Sequence, residues 1–126
     1  MAITYVSTRG RAPELGFADV LLTGLAADGG LYCPATVPPL PGLEPGLPYA
    51  EVARRVMWPY VEGAVEPDEW AALVADAYRA FRHRDVCPVI DLGDNHHLLD
   101  LTQGPTLAFK DVALQLVGRL LDRELA

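Results

Sequence analysis

Between Pro38 and Pro48 the chain reads PPLPGLEPGLP, a run with five prolines and two glycines. No helix or central strand survives such a run, because each proline removes a backbone donor and fixes φ while the glycines favour turns. The stretch predicts an extended surface connector. It divides a short opening unit from a longer remainder.

The opening unit alternates. ITYVST, from Ile3, places β-branched and aromatic residues against polar ones at a period of two, which predicts a short strand ending at Arg9-Gly10. A short helix follows over about residues 16–23, then a turn at Asp28-Gly29-Gly30 and an extended LYC stopped by Pro34. After the connector, Tyr49, Val52, Val56 and Tyr60 form one helical stripe, and Trp70, Leu73, Val74, Ala77, Tyr78 and Phe81 form another. Pro48 and Pro67 stand at first-turn positions, and Asp68 and Glu69 suit the positive end of a helix. Pro59 is expected to end or kink the earlier helix. Two apolar runs around Gly93-Asp94-Asn95 predict a β-hairpin.

Composition narrows the function. The net charge is −7, and the basic residues, nine Arg and one Lys, are scattered rather than striped, which argues against nucleic acid. No apolar run approaches the roughly 20 residues of a membrane span, and the start MAITYVSTRG lacks the apolar core of a signal peptide. A cytoplasmic location is the expectation, with no membrane partner. Cys33 and Cys87 are then expected as reduced thiols. His96 and His97 are adjacent, so on a strand they point to opposite faces, and no metal site is expected from them.

The only lysine, Lys110, falls in QGPTLAFKDVALQLVGRLLD. At about 100° per residue, Leu107, Ala113, Leu114, Val117 and Leu121 lie within roughly 60° of it, so the lysine is central to an apolar stripe. Asp111, Gln115, Arg119, Asp122 and Arg123 gather opposite, with Val112 an apolar exception. Burial and the positive end of a nearby helix both disfavour an ammonium there. A neutral amine is a nucleophile, and forming a Schiff base with a carbonyl, most often that of pyridoxal phosphate, is one reason to bury it. The other reading on these residues is a snorkelling lysine with its head in water. Periodicity leaves both open.

GPTLAFKD (Gly104 to Asp111) resembles the cofactor-lysine motif of the threonine synthase family. STRG (Ser7 to Gly10), LGFADVLLTGLAADGGLYCP (Leu15 to Pro34) and VALQ (Val112 to Gln115) resemble the amino-terminal part of that family in the same order. The resemblance runs essentially end to end. It implies a pyridoxal-phosphate enzyme of fold-type II that converts O-phospho-L-homoserine and water to L-threonine and phosphate. Lys110 matches the Schiff-base lysine, with Phe109 packing beside the cofactor and Thr106 and Asp111 supporting the loop. Many members carry an aromatic residue and a histidine before Gly-Pro-Thr, whereas this chain has Thr102 and Gln103.

The implied fold class is α/β, mixed α+β over these residues. Residues 1–88 would form the small amino-terminal domain of helices and strands, and residues 89–126 the hairpin and lysine-bearing helix that open the cofactor-binding domain. No glycine-rich segment follows Lys110 to cradle a phosphate, so the chain is expected to be an amino-terminal piece, inactive alone. Its last helix is expected to lack a partner, and to self-associate or stay mobile. The alternatives are a non-catalytic binding or assembly module and another fold-type II enzyme.

Overall fold

The computed structural model describes residues 2–126. Four helices and two small antiparallel sheets alternate along the chain, which makes the fold mixed α and β. Strand β1 (Tyr5–Ser7) and strand β2 (Tyr32–Pro34) pair antiparallel, with Val6 opposite Cys33. Between them lies helix α1 (Phe17–Thr23). Pro34 ends its strand, where a missing N–H removes no ladder bond inside the sheet.

One carboxylate organises this opening unit. Asp28 accepts the Ser7 hydroxyl at 2.7 Å, the Gly30 N–H at 2.9 Å and the Arg11 N–H at 3.0 Å. The Ser7 hydrogen bond first, and the backbone N–H groups with it, hold the Asp28 carboxyl down at about 2. Gly30 is glycine for room, since a Cβ there would stand 2.3 Å from Ser7 Oγ.

Beyond the connector, helix α2 (Tyr49–Val61) and helix α3 (Pro67–Arg79) pack together. The predicted α3 stripe is the centre of the core: Trp70, Val74, Ala77, Tyr78 and Phe81 are buried, and Leu73 is half-buried. Trp70 also donates its indole N–H to the Arg54 carbonyl at 3.0 Å, so its burial leaves no polar group unmet. The α2 stripe is only half-buried. Pro59 does not end α2, which continues to Val61. The proline forfeits only the bond its N–H would make, while Val61 is buried and the Glu62 N–H still reaches the Trp58 carbonyl at 3.0 Å. The hydroxyl of Tyr5 donates to the Tyr60 carbonyl at 2.6 Å, so strand β1 satisfies an orphan acceptor at the end of α2.

The predicted hairpin forms from strand β3 (Val89–Gly93) and strand β4 (His96–Leu99), with Asp91 opposite His97 and a register shift between Asp91 and Gly93. Gly93, Asp94 and Asn95 all turn with positive φ, at 82°, 48° and 60°. Every residue of both strands is exposed, His96 and His97 included. Just before it, Val86 takes φ 60° with the Cys87 N–H bonded to the Asp85 carbonyl, a strained turn for a β-branched residue, held by its buried side chain. Cys33 and Cys87 are both free thiols. Among the described residues no helix is long and apolar enough to cross a membrane.

Helix α4 (Asp111–Leu125) corrects two expectations. It has a partner, because it packs on α3 and α1. And the face it buries is not the lysine face: Leu116 and Leu120 enter the core with Val112 against them, while Lys110, Ala113 and Leu114 are exposed. The reason lies in the arginines of the face read as polar. Arg119 pairs with Asp76, and Arg123 with Glu69 at 2.8 Å, so two guanidinium stems lie over α3 with their charges matched. Helix α4 is apolar on two faces and buries one.

Two outcomes are expected. Trp70→Ala should destabilise the chain by about 3–5 kcal/mol in urea unfolding, whereas Val37→Ala, at an 81% exposed site, should change it by less than about 0.5 kcal/mol. Because the folded Asp28 carboxyl lies below its ordinary value, its contribution is complete above about pH 4 and is lost as pH falls through about 2. Ser7→Ala should move the Asp28 titration, followed by NMR, upward toward the ordinary carboxylate range.

Candidate functional site

Lys110 stands where an irregular loop becomes α4, and the loop has a built geometry. The Leu107 N–H donates to the Gly104 carbonyl at 3.1 Å, closing a turn through Pro105 and Thr106. Leu107 then takes φ 64°, which no right-handed helix tolerates, so the helix begins only after it. Backbone turns from Ala108 to Asp111 and from Lys110 to Ala113 lead into the regular helix instead.

The lysine is consequently exposed rather than buried among its stripe. Its surroundings are still apolar. Leu101, Phe109, Lys110, Val112, Ala113 and Leu114 line a surface depression of about 550 Å³, so the structure puts Phe109 and Lys110 on one rim. Phe109 is 66% exposed, and Leu107 and Leu114 are each more than half exposed. A ring-shaped ligand laid in this depression would have apolar contacts on the protein side and one amine within its border.

Behind the lysine, Asp111 is buried at 3% exposure and accepts both the Thr106 N–H at 2.8 Å and the Thr106 hydroxyl at 2.9 Å. Burial raises its carboxyl, but the Thr106 hydrogen bonds, with a weaker one from Gln115, outweigh that and leave it below the ordinary carboxylate range. Gly104 lies against it so closely that an added Cβ would stand 2.3 Å from Asp111 Cβ. The helical periodicity assigned Asp111 to the solvent side and so missed its burial. The available signal was a glycine two residues before Thr106 and an acid five after it.

The two residues that depart from the motif have their own work. The Thr102 N–H and hydroxyl donate to Asp100 at 2.8 and 2.7 Å, and the Gln103 side-chain amide donates to the same carboxylate at 2.6 Å. These bonds hold the Asp100 carboxyl below its usual range. The Gln103 carbonyl meanwhile accepts the Arg82 N–H at 2.9 Å, which ties the lysine loop to the end of α3. His96 and His97 stay outside this arrangement, in the exposed hairpin.

A second concavity, about 540 Å³, opens between α1, α2 and α4, with Phe17, Tyr49, Val56, Tyr60 and Val117 among its walls. It carries almost no polar chemistry. Beside it, burial pushes the hydroxyls of Tyr49 and Tyr78 and the thiol of Cys87 up, which keeps all three neutral. Among the described residues no group of three or more His, Cys, Asp or Glu is placed to hold a metal ion.

Known proteins share this sequence and geometry. A family model described as threonine synthase N terminus matches residues 4–78. A threonine synthase of Pseudomonas aeruginosa is 51% identical over 126 residues, an alignment that covers 97% of this chain and 27% of that protein. The Saccharomyces cerevisiae threonine synthase is 37% identical over 129 residues, covering 94% of this chain and 25% of its own length. Among solved structures, the PLP-bound threonine synthase of Brucella melitensis superposes with a TM-score of 0.89 at 45% identity, over 98% of this chain and 28% of that one. The yeast enzyme superposes at 0.85 with 34% identity, over 97% and 26%. The chain spans about 27% of the length of the Pseudomonas relative it matches, and nearly all of its own residues take part. On the family model, the identities and the shared fold together, the chain belongs to the threonine synthase family and represents its amino-terminal region.

Proposed function

We propose that the chain is the amino-terminal part of a pyridoxal-phosphate-dependent carbon–oxygen lyase, a threonine synthase that turns O-phospho-L-homoserine and water into L-threonine and phosphate. Lys110 is the residue that carries the cofactor, and Phe109 packs beside it. The observation that carries the reading is the single lysine of GPTLAFKD at the border of an apolar depression, in a chain that belongs to this family. Residues 1–88 are read as the family's amino-terminal domain and residues 89–126 as the opening of its cofactor-binding domain, in a cytoplasmic enzyme.

The residues present fit one end of the cofactor. Phe109, Leu101 and Leu114 offer an apolar wall for the pyridine ring, and Lys110 offers the amine. The phosphate end needs several backbone N–H donors from a glycine-rich turn, and no such segment follows Lys110 in these residues. That part of the site is assigned to the rest of the enzyme. When bound, the cofactor supplies an electron sink for negative charge developing on the substrate. Lys110 would hold the cofactor through its primary amine and would carry protons between neighbouring substrate carbons. The exposure of this amine leaves it accessible to a carbonyl group. The 126-residue chain alone is expected to be inactive.

Because it has one lysine, the chain allows a direct test. It is mixed with pyridoxal phosphate, reduced with borohydride and mapped by mass spectrometry, with the α-amino group as internal control. Labelling of Lys110 well above that control is expected, falling roughly two- to tenfold in Phe109→Ala as one ring contact is lost. Labelling of Lys110 no better than the α-amino group would overturn the reading that these residues form part of the cofactor site. The uncovered face of α4 supports a second expectation, self-association of the isolated chain. Sedimentation should show mass rising with concentration, and Leu114→Glu, at a 54% exposed position, should return a monomer.

A further inference from the structure

We propose that Asp111 is the positioning residue of Lys110: its carboxylate clamps the Gly104–Leu107 turn onto the first turn of α4, so that the lysine is presented from a fixed shoulder instead of a frayed helix end. The inference rests on the reading of Lys110 as the cofactor lysine and deepens it.

The direction of the hydrogen bonds is the first observation. An acid at a helix start ordinarily accepts N–H groups from the residues that follow it, and so caps its own helix. Asp111 does the reverse. One of its oxygens takes the N–H and the hydroxyl of Thr106, five residues upstream and outside the helix, at 2.8 and 2.9 Å. The bonds therefore fix the preceding loop, and Lys110 is the last residue of the bridged segment. The helix N-cap, Lys110 itself, makes no side-chain capping bond.

Strain is the second observation. Leu107 sits at φ 64°, a conformation a leucine leaves unless its surroundings hold it. It lies inside the bridged segment, immediately after Thr106. The third is fit: Asp111 is 3% exposed although Lys110 beside it is exposed, and it presses on Gly104, where no side chain has room. Gly104, Thr106, Leu107 and Asp111 thus form one device.

The test uses the 126-residue chain and follows amide hydrogen exchange at Thr106 and Leu107. Asp111→Asn and Thr106→Val should each speed exchange at these amides, by at least about tenfold for the loss of the charged acceptor, while amides from Leu116 onward keep their protection. Thr106→Ser, which retains the hydroxyl donor, should restore the original rate. Adding Leu107→Gly to Asp111→Asn should recover part of the protection, since glycine adopts positive φ without strain. With pyridoxal phosphate bound, Asp111→Asn should keep the visible absorbance at Lys110 but lose several-fold in the circular dichroism of that band, because the amine is no longer held in one orientation. Unchanged exchange at Thr106, a uniform loss of protection along α4, or unchanged dichroism would overturn the proposal. Failure of the unsubstituted chain to take up pyridoxal phosphate, with Thr106 exchange behaving as expected, would sink the cofactor reading and leave the clamp established.

Discussion

The burial of one face of α3 is the constraint on which the rest of this chain depends. Trp70, Val74, Ala77 and Tyr78 are the most enclosed residues of that helix, and they face α2 on one side and α4 on the other. Neither flanking helix has a comparable interior of its own, since α2 buries fully only Val61 and α4 only Leu116, Leu120 and the Asp111 clamp. Hydrophobic burial is non-directional, so polar contacts set the order around it. The indole of Trp70 on the Arg54 carbonyl, the hydroxyl of Tyr78 on the Val112 carbonyl and the pairs of Arg119 and Arg123 with α3 acids fix which neighbour lies where. Through the end of α2, the same core anchors the opening sheet by the Tyr5 hydroxyl.

Most elements were legible because their signals are local. The alternation of ITYVST, the proline-led starts of α2 and α3 and the Gly-Asp-Asn turn each specify backbone conformation within a few residues. The face of α4 was misread for a tertiary reason. Its sequence carries two apolar faces, and periodicity ranks them by residue type without knowing that Asp76 and Glu69 on another helix would draw Arg119 and Arg123 inward. Lys110 and Phe109 were singled out through resemblance to a short motif, and the structure sets both on one depression. The burial of Asp111 was missed, because helical periodicity was applied through a loop whose left-handed leucine and close glycine contact break it.

A helix apolar on two faces is normally covered on both. Here one face meets α3, and the other lies open beside the lysine loop, whose Leu107 and Phe109 are also exposed. The same holds for the groove between α1, α2 and α4, which is walled almost wholly by apolar side chains. These surfaces agree with the span of the chain, which matches about 27% of the Pseudomonas relative while using almost all of its own residues. The site proposed at Lys110 sits at the edge of this uncovered region, where the completed enzyme would exclude water.

The hairpin of β3 and β4 has a different bearing on the life of the chain. A sheet of only two strands has two open edges, and this one presents Val89, Ile90, Leu92, Leu98 and Leu99 to solvent with unpaired backbone groups alongside. Such an edge is a template for another extended segment, so a chain in which it stays uncovered is open to intermolecular β-pairing. Asp91, Asp94 and the two histidines interrupt the apolar run and oppose that outcome by charge and polarity. The polar residues of this hairpin therefore bear on its association with other chains as well as on its turn.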